Sequence, residues 1–140
     1  MSTILCATRG GEASYRAQDH AIAIAKERDA SLLFIFVADV AFLSHTRAAI
    51  VVDAESEIEH MGEFLLLMAK ERAEKAGVQA ESVVKHGSFR RAMKETVREY
   101  GVDLVIFGRP GEETAATQMK YLQNLSQELT DELGVETMIV

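Results

Sequence analysis

Asp103-Leu104-Val105-Ile106-Phe107-Gly108-Arg109-Pro110-Gly111, set beside Ile4-Leu5-Cys6-Ala7-Thr8-Arg9-Gly10-Gly11-Glu12-Ala13-Ser14, decides how this chain folds. Each stretch is a short apolar run that stops at glycine. Runs without polar alternation suit strands buried on both faces, as parallel sheets require. In such sheets neighbouring strands open their carboxyl ends onto one crevice, where these folds bind ligands. Pro110 places a rigid turn at the mouth of that crevice.

Working outward, strand and helix patterns alternate along the whole chain. Ile4–Thr8 reads as the first strand and Glu12–Arg28 as the first helix, with Ala17, Ala21, Ile24 and Ala25 on one face. Leu32–Ala38 reads as a strand. A long helix from Ala54 to Ala76 carries the stripe Ile58, Met61, Leu65 and Met68, which reads as core, and Gly77 stops it. Gln79–His86 is the third strand. Ser88 is placed to cap a third helix with Phe89, Ala92, Met93, Val97 and Tyr100 on its apolar face, ended by Gly101. After the strand Asp103–Phe107, a helix over Thr117–Leu133 turns Met119, Leu122, Leu125, Leu129 and Leu133 inward. Gly134 ends it before a last strand, Val135–Val140. Such alternation predicts an α/β fold: one doubly wound domain over residues 1–140, with a five-stranded, mainly parallel sheet and helices on both faces.

Composition narrows the function classes. The chain has 140 residues, 48% hydrophobic and 26% charged, and a net charge of -7, which argues against a general nucleic-acid surface. No apolar stretch reaches membrane-spanning length and no signal-peptide pattern opens the chain. With one cysteine, Cys6, no intrachain disulfide forms, which fits a cytoplasmic setting. The four histidines His20, His45, His60 and His86 show no metal-ligand spacing, and no metal is expected. Arg90-Arg91 reads as a small solvated basic spot. The final strand is apolar and β-prone at a sheet edge, an open template for pairing.

Ile4-Leu5-x-Ala7, then Gly10-x-Glu12-Ala13-Ser14, His86-Gly87, Gly101-x-Asp103-Leu104-Val105-Ile106-x-Gly108 and the C-terminal strand together resemble the universal stress protein family. That resemblance covers nearly the whole chain. It implies strand order 3-2-1-4-5, a homodimer, and a non-enzymatic role in stress tolerance or regulation, with protein partners still to be named. The family's ATP-binding members carry Gly, two residues, Gly, nine residues, then Gly and Ser or Thr. Gly108-Arg109-Pro110-Gly111 matches the first half, but Tyr121-Leu122 stands where the second half belongs. Those members also end their first strand with an aspartate, where this chain has Arg9.

The expectation is therefore weakened or lost ATP binding, with Tyr121 adding bulk where phosphates would lie and no resident cofactor. The alternative is a nucleotide switch, holding ATP or AMP with Mg in a crevice formed by Arg9, Gly108, Arg109, Gly111 and the backbone near Val37. Thr114 and Thr117 then cap the following helix, and the two arginines suit an anion. A third reading takes Arg9-Gly10-Gly11-Glu12-Ala13-Ser14 as a degraded loop of the ATP pyrophosphatase group, whose pattern it meets only at the glycines and Ser14. The homodimer is expected through Val135 to Val140, without nucleic acid or membrane.

Overall fold

Apolar runs become the central strands, mixed stretches the two edge strands, and the segments between them wind into helices. The computed structural model describes residues 2–9, 12–38, 48–110 and 115–140. In chain order these give β1 (Thr3–Ala7), α1 (Glu12–Arg28), β2 (Ser31–Ala38), α2 (Ala48–Lys75), β3 (Ala80–His86), α3 (Phe89–Tyr100), β4 (Leu104–Phe107), α4 (Ala115–Leu133) and β5 (Glu136–Ile139). All strand pairs are parallel, in the order β3-β2-β1-β4-β5. β5 is one residue shorter at each end than the run Val135–Val140. Val135 is buried before the strand begins, and Val140 still donates its N–H to Phe107 O at 2.9 Å.

Side chains alternate across the sheet, so each strand feeds two cores. Ile4, Cys6, Leu32, Phe34, Phe36, Leu104 and Ile106 face α1 and α2, where Ala17, Ala21, Leu66, Ala69 and Ala73 meet them. Leu5, Leu33, Ile35, Val105 and Phe107 face α3 and α4, packing on Met93, Val97, Leu122, Leu125 and Leu129. Full burial of Cys6 pushes its thiol up to about 12, so it stays protonated and unreactive.

α3 starts and stops as its sequence dictates. Ser88 Oγ accepts from Arg91 N–H at 3.4 Å, and Gly101 closes the helix at φ 63°, its N–H returning to Val97 O. Tyr100 is exposed at the end of the apolar face instead of packing inward. α3 is tied to α4 by charge: Lys94 Nζ donates to Glu128 at 2.8 Å and to Glu132 at 2.9 Å. Arg90 joins the same cluster, 3.2 Å from Glu128, so Arg90 is not part of a freely solvated basic spot.

α2 departs most from its sequence reading. The helix begins at Ala48, and the face it buries is Gly62, Leu66, Ala69 and Ala73. Met61 and Met68 are exposed, while Ile58 and Leu65 only flank the core. The cause is space: a Cβ at Gly62 would lie 2.2 Å from the Phe36 ring. Phe36 fills the gap from the sheet side, so the facing helix surface carries small residues.

Candidate functional site

β1 and β4 are neighbours with Cys6 opposite Ile106, so Arg9 and Arg109 each stand three residues beyond one register pair. Both side chains are exposed at the carboxyl end of the sheet. Guanidinium groups stay charged at every physiological pH and carry forked donors suited to carboxylate or phosphate. Gly111, the remaining half of the glycine pair, and Thr114 lie outside the described residues, as does the side chain of Thr117.

The residue before Arg9 is fixed inward. Thr8 is buried; its N–H donates to Ile35 O at 2.9 Å and its Oγ1 accepts from Gln18 Nε2 at 2.8 Å. Gln18 Oε1 accepts from Arg72 Nη1 at 2.6 Å. Arg72 also bonds Asp19 at 2.5 Å and sits 5.1 Å over the Tyr15 ring. A polar chain, buried at Thr8 and Gln18 and reaching the surface at Arg72, thus runs from the end of β1 through α1 to α2. It fixes the backbone that presents Arg9.

Ser14 completes that turn: buried in the first turn of α1, its Oγ accepts from Arg9 N–H at 2.9 Å. The one hydroxyl shared with the pyrophosphatase loop pattern is therefore occupied by its own chain. This favours an ordinary strand-to-helix turn.

Gly108 answers to a steric demand. A Cβ there would come within 2.6 Å of Ala13 O, because β4 leaves the sheet against the start of α1. This close approach requires glycine with or without a ligand. Beyond it, Arg109 N–H donates to Val140 O at 2.7 Å, so the end of β5 holds this backbone while the Arg109 side chain stays free to project. Pro110 is buried.

Val37 lies on the crevice side of β2. Ile35 O points to β1, and main-chain groups alternate along a strand, so Val37 N–H and C=O point the same way. They do so past Thr8, where the described part of β1 turns off the sheet, while Ala38 O turns to β3 and accepts from Gly87 N–H at 3.2 Å.

Tyr121 is not at the head of α4. The helix starts at Ala115, six residues earlier, and Tyr121 leans on α3, 6.4 Å from the Phe89 ring centre with Arg90 5.1 Å over its face. Leu122 packs into the core as its spacing indicates. Tyr121 thus lies between α4 and α3, while the phosphate position it is expected to crowd, beside Gly111, lies outside the described residues.

A second feature went unseen in the sequence. Between α4 and β5, Gln123, Ser126, Gln127, Thr130, Thr137 and Ile139 line an open cleft of about 350 Å³. Ser126 Oγ is buried there without a partner. Its lining comes from two elements separated by a turn, so no local motif announces it.

Known proteins answer to the same pattern. Residues 1–129 match the family model described as the universal stress protein family. A universal stress protein of Bacillus subtilis (strain 168), YxiE, is 29% identical over 116 residues, covering 77% of this chain and 78% of that protein. A universal stress protein solved in complex with cAMP superposes with a TM-score of 0.71 at 24% identity, covering 99% of this chain and 96% of the other. An Arabidopsis thaliana member of the family solved with AMP bound gives 0.67 at 14% identity over 100% of this chain and 91% of its own.

Proposed function

The chain belongs to the universal stress protein family, and from that premise we propose that it is a non-enzymatic, cytoplasmic regulatory module that works as a homodimer through β5, with nucleotide recognition weakened in its crevice. One observation carries the reading. Among the described residues β5 ends the strand order: Glu136 and Val140 bond back toward β4, so by alternation Thr137 and Ile139 turn their N–H and C=O groups outward. A second copy laid along β5 takes up those groups. Chemistry at the crevice agrees with binding rather than catalysis. Among the described residues, the charged side chains that follow β1 and β4 are Arg9 and Arg109, and a guanidinium is a donor to anions and not a general base.

A second reading rests on the same arginines. Relatives bind cAMP and AMP, and Arg9 with Arg109 fit an anionic phosphate. Val37 N–H and C=O offer an edge for a base. In this reading the crevice takes a nucleotide and biases the dimer.

Thermal unfolding with and without millimolar Mg-ATP, AMP and cAMP separates the two. A ligand bound only to the folded state adds RT ln(1 + [L]/Kd), about 2.7 kcal/mol at a hundredfold excess over Kd. The weakened-site reading expects no rise with any of the three. A rise abolished by Arg9→Ala or Arg109→Ala installs the switch.

A further inference from the structure

The outer face of α2 is apolar where a surface helix should be polar. Phe64 and Leu67 are 57% and 58% exposed, Met61 50% and Met68 37%. They sit opposite the buried face of Gly62, Leu66, Ala69 and Ala73. A contiguous exposed apolar patch of this kind marks an interaction surface.

Its spacing is specific. Glu57, Met61, Phe64, Met68, Glu71 and Lys75 follow one another at intervals of four, three, four, three and four residues, the seam of a two-helix coiled coil. Nineteen residues from Glu57 to Lys75 span about 27 Å at 1.5 Å per residue. All six are exposed, and Glu57 and Lys75 form no ion pair among the described residues.

We propose that this face pairs with the same face of a second copy, α2 antiparallel to α2, at a contact separate from β5. Antiparallel coiled coils set each seam position against its opposite number. Here that places Phe64 on the partner's Met68, and Met61 on the methylenes of the partner's Glu71. Leu67 meets its own copy at the two-fold axis. The charges complete the match: Glu57 faces the partner's Lys75, and the flanking His60 faces the partner's Glu74. A parallel pair would instead stack Glu57 on Glu57, Glu71 on Glu71 and Lys75 on Lys75. Two-fold symmetry makes each favourable contact occur twice. Four large apolar side chains form a small patch beside the roughly 800 Å² that each partner buries in a standard interface. The contact is therefore reversible and concentration-dependent. Because α2 packs on β2 and β3, away from β5, a β5 dimer carries an α2 face on each copy and associates further through them.

Sedimentation equilibrium on the full chain tests this, with circular dichroism to confirm folding. Phe64→Lys, at an exposed position, weakens the α2 contact at least about a hundredfold. Glu57→Lys weakens it about tenfold, and Glu57→Lys with Lys75→Glu restores it. That rescue is unique to a second copy in antiparallel register. In a β5-blocked Thr137→Pro chain the α2 contact still yields dimers, so failure of either interface reads separately. Association indifferent to Phe64→Lys overturns the proposal. So does loss on Glu57→Lys without rescue by the double exchange, which would assign the face to another partner.

Discussion

Gly108 has no room for a side chain. A Cβ would lie 2.6 Å from Ala13 O and 2.9 Å from the carbonyl carbon, and both atoms are backbone at the start of α1. A flexible side chain could swing away; this turn cannot without shifting the strand end that carries Arg109. Gly108→Ala is expected to destabilise the fold by about 1–3 kcal/mol, as overpacking does, read from the urea midpoint. Any nucleotide response should fall with it. An unchanged midpoint would show that the β4–α1 approach is looser than described.

Lys94 is the second residue whose role can be tested alone. Hydrogen bonding to Lys94 holds the Glu128 carboxyl below the ordinary carboxylate value, against a smaller opposing desolvation, and nearby Arg90 adds to the lowering. The same bonds to Glu128 and Glu132 raise Lys94. A depressed carboxylate contributes stability that is present above its unfolded value and is lost as pH falls through its folded value. The raised lysine contributes below its unfolded value and loses that contribution as pH climbs through its folded one. Lys94→Met should therefore lower Tm modestly at neutral pH and flatten its decline through the carboxylate range. The pair is part-buried at the α3–α4 seam but still reached by solvent, so the effect is modest and salt-sensitive. A variant whose acid limb runs parallel to the parent's would remove the linkage.

At the scale of elements, α2 shows how a helix face is chosen. Met61, Phe64, Leu67 and Met68 point outward, and the residues that pack are, apart from Leu66, small. Reading periodicity from the large apolar residues alone therefore selects the wrong face. The deciding neighbour, Phe36, lies on β2, 26 residues before Gly62. Gly62→Ala would gain about 1 kcal/mol in helix propensity. It would also drive a methyl into the Phe36 ring, at a cost of about 1–3 kcal/mol. Net destabilisation of up to about 2 kcal/mol is expected. With Phe36→Ala already in place the ring is gone, and the same change should stabilise. Urea unfolding of the four proteins in this cycle checks the reversal of sign, and additivity would refute the contact.

Other elements were legible because local chemistry decides them. Glycine at Gly77, Gly101 and Gly134 takes positive φ where three helices end, and unbroken apolar runs became strands within a residue or so. α1 ends differently, with Asp29 at φ 53°, a stop that carries no glycine signal. At the carboxyl end of the sheet, the adjacency of the strands that lead to Arg9 and Arg109 was legible from the strand order. The chain Thr8–Gln18–Arg72 did not, since Arg72 stands 54 residues from Gln18 and only folding brings them together. The position of Tyr121 within α4 was hidden for a related reason. Counting nine residues from Gly111 assumes that α4 begins there, whereas the helix is already under way.

For the whole molecule, the strand order leaves β5 with one free edge. Glu136 and Val140 donate to Asp103 and Phe107 on the β4 side. By alternation Thr137 and Ile139 turn their N–H and C=O groups away from the sheet. An antiparallel copy of β5 would take up those groups. It would also carry the partner's α4 across the cleft where Ser126 Oγ is buried unpaired. Thr137→Pro tests this geometry cleanly. Proline removes one outward donor and leaves the bonds to β4 in place, since Thr137 contributes none of them. Near-native far-UV dichroism is expected, with loss of the β5 dimer in sedimentation equilibrium and conversion to the lower-order species. A more conservative change at the same site, Thr137→Val, keeps the donor and should keep the dimer. Retention of the dimer by Thr137→Pro would place the contact elsewhere on the surface. Loss with both variants would assign the role to the threonine side chain in the cleft rather than to strand pairing.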